Sequence, residues 1–522
     1  MESESPFAQH LNTNYSPSDS EVKWIHSHLV PHVLEVSRLE SLIRDLSAQR
    51  ERTLAYIGAH RALLSPVRRM PLDIMQEIFL ACLPTHRNAV MCAREAPLIL
   101  IRICRAWKTL ALSTPALWVS LHIPLQYLFY DSRHVEARKW LERSSRCPLS
   151  ISIVGARDME QWERNHPEEV DMAMETLSAC SDRWRNLDLS FGFDEGMLRL
   201  GKVYAPNLVA VTINAEPWQT EQMELLTTPS LRSVALRTSP DFDNWILRLP
   251  LQWHHLTSLK LSEKNTLPMR GMSPLVALEI LRRCPELINF EGDIIAFPND
   301  LPPLSPQPTI SLPAIREFVL RRCASAVGPA SIGYLLQHLR MPQLRHLQLP
   351  RTGYLFHSVS PFLGDLGIQS PLIEDFSLDL AGLAQESLAE NLLMLRCLNK
   401  LVVLDRTSGG PLDGEATPPR LFAFLASSTP PACPMLKELH VTECYSYGDA
   451  DLLDFARKRL DHGGGHFTRL NVEYRRPSHP IAPEVLAPFI ARGLNISTTF
   501  PHPARVSVCQ RRETPWTGLK NL

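Results

Sequence analysis

The side chains in this sequence that could do chemistry are histidines and cysteines, and their spacing decides which chemistry that would be. His26, His28 and His32 form an H-x-H-x-x-x-H series near the start of a predicted helix. Imidazole nitrogens are common zinc ligands, but a zinc site needs further donors held in a fixed geometry. We therefore interpret the three histidines as solvated side chains and predict no metal site.

The motifs that mark catalytic sites are absent from the sequence. It has no G-x-x-x-x-G-K-[ST] phosphate loop, no H-E-x-x-H zinc motif and no G-x-S-x-G nucleophile turn. Cys284 and Cys433 each precede a proline, and we interpret them as small buried residues that close helix–strand turns rather than as nucleophiles. The sequence therefore predicts no catalytic residue, no cofactor and a protein that is not an enzyme.

Composition bounds the elements that must position any site. The chain has 522 residues, of which 44% are hydrophobic and 21% charged, so it is globular and long enough for two or more cores. Its net charge of −1 gives no overall attraction to nucleic acid or anionic lipid. The eleven cysteines include no C-x-x-C pair, which favours a reducing compartment, cytoplasm or nucleus. We find no secretory signal and no apolar run of the ~20 residues that span a membrane.

Residues 68–118 carry the most informative pattern. Ile74, Met75, Ile78 and Phe79 recur at three- and four-residue spacing after Pro71, which predicts an amphipathic helix over residues 71–83 with proline at its first position. A unit the size of residues 68–118 buries too little apolar surface to be stably folded by itself. We therefore expect it to depend on a partner or on a neighbouring domain.

This stretch resembles the F-box, the helical module that docks a protein onto the Skp adaptor of cullin-based ubiquitin ligases. The resemblance covers about one tenth of the chain. Met70 and Met75 stand where the family has leucine, Asp73 stands where it has glutamate, and the joint over residues 84–97 is long. The family positions that this sequence fills are Pro71, Ile74, Ile78, Phe79, Ile103, Cys104, Arg105, Trp107, Leu110, Ala111, Leu117 and Trp118.

The resemblance implies a set of adaptor-binding residues within the predicted F-box, residues 65–123. The anchoring helix would supply five of them and the following segment would support it with three more. The implied contact residues are Pro71, Ile74, Met75, Ile78, Phe79, Leu98, Ile101 and Trp118.

Before the F-box, residues 1–21 are predicted to be disordered because they are rich in Ser, Asn, Pro and Glu. Residues 22–64 are predicted to form an amphipathic helix. Leu39, Leu42, Leu46, Thr53 and Tyr56 keep a heptad-like seam. Two interpretations stay open: a helix that packs back onto the F-box, or a short coiled coil that makes the chain a homodimer.

After the F-box, a six-residue L-x-x-L-x-L pattern recurs and defines the rest of the architecture. The alternation within each copy predicts a parallel strand with one buried face. The series resembles the irregular leucine-rich repeats found behind many F-boxes, so residues 124–500 are predicted to form an α/β solenoid with a curved parallel sheet, followed by a tail at 501–522. The alternative is a generic α/β domain with leucine-rich strands. The copies begin at residues 184, 208, 231, 256, 287, 315, 344, 373, 398, 436 and 467.

The residues that flank the leucines within each copy are predicted to face the open surface of the sheet. They are the candidate contact surface for a protein client. Four of them, Asp375, Asp379, Glu438 and Glu473, occupy display positions on late repeats and predict a negative patch. The full candidate set is Lys260, Arg321, His346, Gln348, Asp375, Asp379, Glu438, His440, Arg469 and Glu473.

These expectations combine into one predicted function. The chain would be the substrate-recognition adaptor of a Skp–cullin–F-box ubiquitin ligase. Its F-box would bind the Skp adaptor, and through it a cullin, while its repeat domain would bind an unknown protein client. No nucleic acid or membrane partner is expected. Two alternatives remain: an F-box and repeat protein that binds partners outside ubiquitination, and an α/β enzyme whose F-box match is accidental.

Overall fold

A computed structural model describes most of the chain. The described residues are 5–125, 133–155, 167–190, 200–214, 223–238, 242–263, 271–296, 309–325, 329–349, 351–352, 366–380, 385–405, 421–427, 432–444, 447–462, 466–475 and 481–500. The predicted tail, 501–522, lies outside them. The chain divides into two compact units, one up to Ile78 and the other from Phe79 onward.

The first unit is dominated by one long helix, α1 (Asp19–Leu63). A capping box starts it, in which the Ser18 backbone N–H donates to the Glu21 carboxylate over 2.7 Å. Residues 19–21 are therefore helical, although the sequence assigned them to a disordered segment. A short 3-10 turn, Ala8–His10, precedes the helix and another, Pro66–Arg69, follows it. None of the 45 residues of α1 is buried.

Helix α2 (Leu72–Ala81) crosses the division between the units. Pro71 was predicted to be the first residue of this helix and instead immediately precedes it. Its carbonyl accepts a hydrogen bond from the Met75 N–H at 3.1 Å. This is a cap position, and a one-residue difference at a helix end is ordinary.

The second unit begins with short helices that lead into a sheet. A 3-10 turn (Leu100–Arg102), helix α3 (Arg105–Leu112) and a second 3-10 turn (Pro115–Trp118) come first. The Cys104 thiol caps α3 by accepting from the Trp107 N–H at 3.5 Å. These elements contribute buried residues to the core of the second unit.

The second unit is built on one large parallel sheet, so the chain is mixed α/β with a long N-terminal helix, as predicted. Fourteen strands follow one path in the order β1-β2-β3-β4-β5-β6-β7-β9-β11-β13-β14-β15-β16-β17, with β12 beside β9. The two ends of this path are not paired to each other, so the sheet is not a closed barrel. A separate pair, β8 and β10, completes the set. The strands are β1 (Ser120–Pro124), β2 (Leu149–Val154), β3 (Trp184–Ser190), β4 (Ala210–Asn214), β5 (Ser233–Thr238), β6 (Ser258–Glu263), β7 (Asn289–Ala296), β8 (Ile310–Ser311), β9 (Glu317–Ser325), β10 (Leu339–Arg340), β11 (His346–Gln348), β12 (Arg351–Thr352), β13 (Asp375–Asp379), β14 (Lys400–Leu404), β15 (Glu438–Cys444), β16 (Arg469–Tyr474) and β17 (Asn495–Thr499).

Helices fill many of the crossovers between these parallel strands, since a parallel pair cannot be joined by a tight turn. Between β7 and β9, and at several other crossovers, the described connection has no α-helix. The described helices of this unit, after α3, are α4 (Arg133–Arg143), α5 (Pro167–Ser178), α6 (Phe242–Trp245), α7 (Pro274–Arg283), α8 (Pro329–Gln337), α9 (Leu366–Gln369), α10 (Gln385–Met394), α11 (Leu421–Ser427), α12 (Asp449–His462) and α13 (Pro483–Ala491).

The fourth residues of the copies form a row of buried side chains across the sheet, and this row explains why the repeated pattern folds this way. The fourth residue of every copy lies in register with the fourth residue of the next strand, and all are buried. Leu121 and Ile151 extend the row at one end and Ile496 extends it at the other. Burying one such side chain contributes roughly 1.5–3 kcal/mol. The row from the copies is Leu187, Val211, Val234, Leu259, Phe290, Phe318, Leu347, Phe376, Leu401, Leu439 and Leu470.

A buried cation ties the crossover between β14 and β15 together. The Arg459 guanidinium, on α12, donates to the carbonyls of Leu425 at 3.2 Å and Ala432 at 3.0 Å, and also to that of Cys433. Burial lowers the pKa of Arg459 below its usual range. The side chain therefore satisfies carbonyls at the end of α11 and in the following turn.

Candidate protein-interaction surfaces

Helix α2 carries two apolar faces instead of one. Ile74 and Ile78, four residues apart, have 47% and 39% of their surface exposed, and Leu72 before them is also exposed. Met75 and Phe79, one residue further along, are buried. Since successive helical residues are turned by about 100°, the four predicted stripe residues split into an exposed pair and a core pair.

Three predicted contact residues are therefore core residues rather than exposed contacts. Met75, Phe79 and Trp118 are buried, which corrects the expectation that their side chains meet a partner directly. Within the second unit the Phe79 ring lies 4.9 Å from that of Trp107. The Trp118 indole donates to the Ala111 carbonyl over 2.9 Å and meets the Trp140 ring edge-on at 5.0 Å. Such residues act through the packing of the chain.

The remaining predicted contact residues lie at the surface. Pro71 is exposed, while Leu98 and Ile101 are half-buried around the 3-10 turn. Two neighbours that the sequence reasoning left out of the contact set, Ile99 and Ile103, are exposed isoleucines. They flank the 3-10 turn Leu100–Arg102 as its two cap residues, and the helical spacing rule does not identify such a turn.

The sheet brings the predicted client residues into two rows. Third-position residues of neighbouring copies pair in register across β9 to β16, and fifth-position residues form a parallel row. Lys260, Gln348 and His440 lie in the second row, and Arg321 and Glu473 lie two residues further along their strands. The first row reads Glu317, His346, Asp375, Lys400, Glu438 and Arg469.

The first row alternates in charge, which corrects the predicted negative patch. Lys400 lies between Asp375 and Glu438, and Arg469 lies beyond them. The Glu438 carboxylate is 3.4 Å from the Arg469 guanidinium and 3.2 Å from the His440 ring. Opposite charges directly across a sheet attract, so Lys400 and Arg469 offset the charges of Asp375 and Glu438.

Asp379 is not on the displayed face. It is 4% exposed, because the alternation of buried and open residues breaks at the end of β13, where Leu378, Asp379 and Leu380 are all buried. A residue at a strand end can turn toward the core because the pleat no longer fixes its direction. Asp405, just after β14, is buried in the same way. The predicted surface therefore loses this aspartate.

An ion cluster marks the middle of the sheet. Glu291 on β7 lies between Lys260 on β6, at 3.3 Å, and Arg321 on β9, with which it also forms an ion pair. The two cations are about half exposed while the carboxylate is nearly buried. Sequence reasoning missed Glu291 because its copy of the repeat ends in glycine and matches the pattern weakly.

The candidate reactive residues lie where sequence reasoning put them. Cys284 and Cys433 are buried, and burial raises the pKa of each thiol to about 12. A neutral thiol is a poor nucleophile. Within the described residues, no three histidine, cysteine or acidic side chains come together as a metal site, and the His28 ring instead stacks on Trp24 at 4.7 Å.

Comparison with known proteins adds no relative. No family model matches the chain, and no curated protein matches it. Among the described helices, none combines the length and apolar composition needed to cross a bilayer.

Proposed function

We propose that this protein is the substrate-recognition adaptor of a Skp–cullin–F-box ubiquitin ligase, working in the cytoplasm or nucleus. In this proposal residues 65–123 are an F-box that binds the Skp adaptor, and the sheet domain is a leucine-rich-repeat solenoid that holds a protein client. Ubiquitin transfer is catalysed by another subunit, and this chain contributes proximity and orientation.

The observation that carries the proposal is the two-faced helix α2. An ordinary surface helix buries its one apolar stripe and shows polar residues elsewhere. Here Met75 and Phe79 are buried while Leu72, Ile74 and Ile78 stay exposed. Exposed isoleucines at positions that match the F-box pattern are what an adaptor-docking helix requires, since burial of apolar surface drives association.

The repeat domain supports the second half of the proposal. Eleven copies of one pattern stack with their fourth residues in register, so each copy contacts mainly its neighbours, as in solenoid proteins. One sheet face then presents polar side chains from many repeats to a client. The alternating charges of Asp375, Lys400, Glu438 and Arg469 would select a client segment by charge pattern rather than by net charge.

A pull-down with a purified Skp-family adaptor tests the first half. Changing Ile74 and Ile78 together to alanine removes exposed apolar surface without disturbing Met75 or Phe79. If both side chains are buried on binding, affinity should fall by about 100-fold or more. Ile368→Ala is the control, at an isoleucine on α9 that is 65% exposed and so more open than Ile74 or Ile78, and it should bind normally.

A second pull-down, with purified cullin added to the adaptor, separates the rival functions. Adaptor and cullin recovered together with the wild-type chain support a ligase subunit. Adaptor without cullin would point to a binding protein that acts outside ubiquitination. Binding that survives the double substitution, or no adaptor binding by the wild-type chain, would refute the F-box assignment.

A further inference from the structure

Helix α1 displays an apolar seam longer than the one read from the sequence alone. Once the helix is known to run from Asp19 to Leu63, a heptad frame with Ile43 at position a extends from Val22 to His60. Position a holds Val22, Leu29, Val36, Ile43, Arg50 and Ile57, and position d holds Ile25, His32, Leu39, Leu46, Thr53 and His60.

The large apolar residues of this seam are open to solvent. Their exposed fractions run from 36% at Val22 to 62% at Ile43, apart from the half-buried Ile25. Leu42 and Tyr56, which the sequence reasoning placed in the seam, flank it at position g and are exposed as well. A contiguous exposed row of apolar side chains of this size marks a surface that another protein surface covers.

We propose that the covering surface is the same seam of a second copy of this chain, so that α1 forms a two-stranded coiled coil. The choice of residues favours two strands, because β-branched Val36 and Ile43 at position a combine with Leu39 and Leu46 at position d. This assignment does not depend on the ligase function proposed above.

Half of the charged residues of α1 lie away from the seam. Six of its twelve Asp, Glu, Lys and Arg residues are at positions b and c, including Lys23, Arg44 and Asp45. Arg38, also at c, pairs within its own helix with Glu35 at 2.8 Å. Pro31 falls at c, so its missing N–H is on the outer side. Arg50 at position a is the one charged layer of the frame, the kind of residue that fixes register in such pairs.

The area available is what a stable dimer needs. A 45-residue helix is about 67 Å long. Eight large apolar seam residues per chain, each hiding roughly 60–120 Å² at the usual burial coefficient, would bury on the order of 1,000–1,900 Å² in the pair. Specific stable interfaces bury a comparable area, ~1,200–2,000 Å². The seam is therefore large enough without help from other elements.

Two leucines of α1 give a matched test. Leu46 lies on the seam at 55% exposure, and Leu34 lies opposite it, at position f, at 64% exposure. In a single helix the two sites are equivalent. In a coiled coil only Leu46 is covered by the partner helix, and a dimer of the variant carries the substitution on both chains. Leu46→Glu should therefore weaken association by about 100-fold or more, while Leu34→Glu should leave it nearly unchanged.

The experiment measures the mass of the purified full-length chain over a dilution series, by light scattering and mass photometry. The expected result is the mass of two chains for the wild type and for Leu34→Glu. Leu46→Glu should keep the mass of one chain up to concentrations far above those at which the other two proteins are dimers. Leu46→Ala and Leu34→Ala, both compatible with helix, repeat the comparison if glutamate lowers the helix content seen by circular dichroism. A one-chain wild type at micromolar concentration, a mass above two chains, or equal effects at the two leucines would overturn the proposal.

Discussion

Replacing Leu347 with alanine probes the row of fourth-position residues that organises the sheet. Leu347 is fully buried and lies in register between Phe318 and Phe376 on the neighbouring strands. The change removes the outer carbons of a side chain between two large rings that are held by their own strands. The cavity can therefore collapse only partly, and we expect a loss in the middle of the range for such sites, about 3–4 kcal/mol.

Gln348 and His346 provide controls on the same strand. Both are partly open, and Gln348 follows Leu347 directly while His346 precedes it. Alanine at either position should change the free energy of unfolding by no more than about 0.5 kcal/mol, as surface changes usually do. Leu349, just past β11 and 4% exposed, should behave like Leu347.

Urea unfolding of the four variants, followed by tryptophan fluorescence and by far-UV circular dichroism, measures these losses. Coincident transitions by the two probes would justify comparing free energies. Equal losses at Leu347 and Gln348 would refute the reasoning, because they would mean that the register of β11 or the alternation of its faces is wrong.

Three further outcomes are expected. A maleimide reagent at pH 8 should modify exposed Cys82 in the folded chain and leave Cys433 unmodified until urea unfolds it, because burial raises the pKa of Cys433 to about 12; early labelling of Cys433 would contradict its place in the core. Trp118→Phe should cost roughly 0.5–1.5 kcal/mol, measured by urea melts, because the Ala111 carbonyl loses the indole N–H and keeps the Thr114 N–H. Arg459→Met should cost more than Trp118→Phe, since the carbonyls of Leu425, Ala432 and Cys433 all lose the guanidinium as a donor, and a neutral effect would show that water replaces the guanidinium.

The sheet could be predicted from sequence to the level of single residues because its pattern has period two. In each copy the fourth residue was expected inside, and the structure aligns these residues strand by strand, from Leu187 to Leu470. The strands at the two ends were missed. β1 falls inside the predicted F-box and β17 carries the short apolar signal of Ile496 alone, so neither repeats the L-x-x-L-x-L pattern.

The candidate surfaces were less predictable, for two physical reasons. Whether an apolar residue on a helix is core or contact depends on what packs against it, so the spacing of Ile74 and Met75 could not separate their roles. The sign of a patch depends on every side chain displayed between its members. Lys400 lies on the copy between those of Asp375 and Glu438 in the sequence, and the structure pairs its strand with both of theirs. The alternation of apolar and polar residues also does not show which way the last side chain of a strand turns, and so it did not predict that Asp379 is buried.

The order of strands in the sheet also has a consequence for biosynthesis. Along the main path each strand lies beside the one that precedes it in the chain, apart from the short β8, β10 and β12, and the longest step between neighbours runs from Lys400 to Glu438. A ribosome makes the chain from its N-terminus at about 5–20 residues per second. Each new strand therefore emerges within a few seconds of the last, when the strand with which it pairs is already in place and has one edge vacant. Nascent chains of increasing length should gain protease-resistant sheet one repeat at a time, whereas a fold that joined its two ends would have to wait for the last strand.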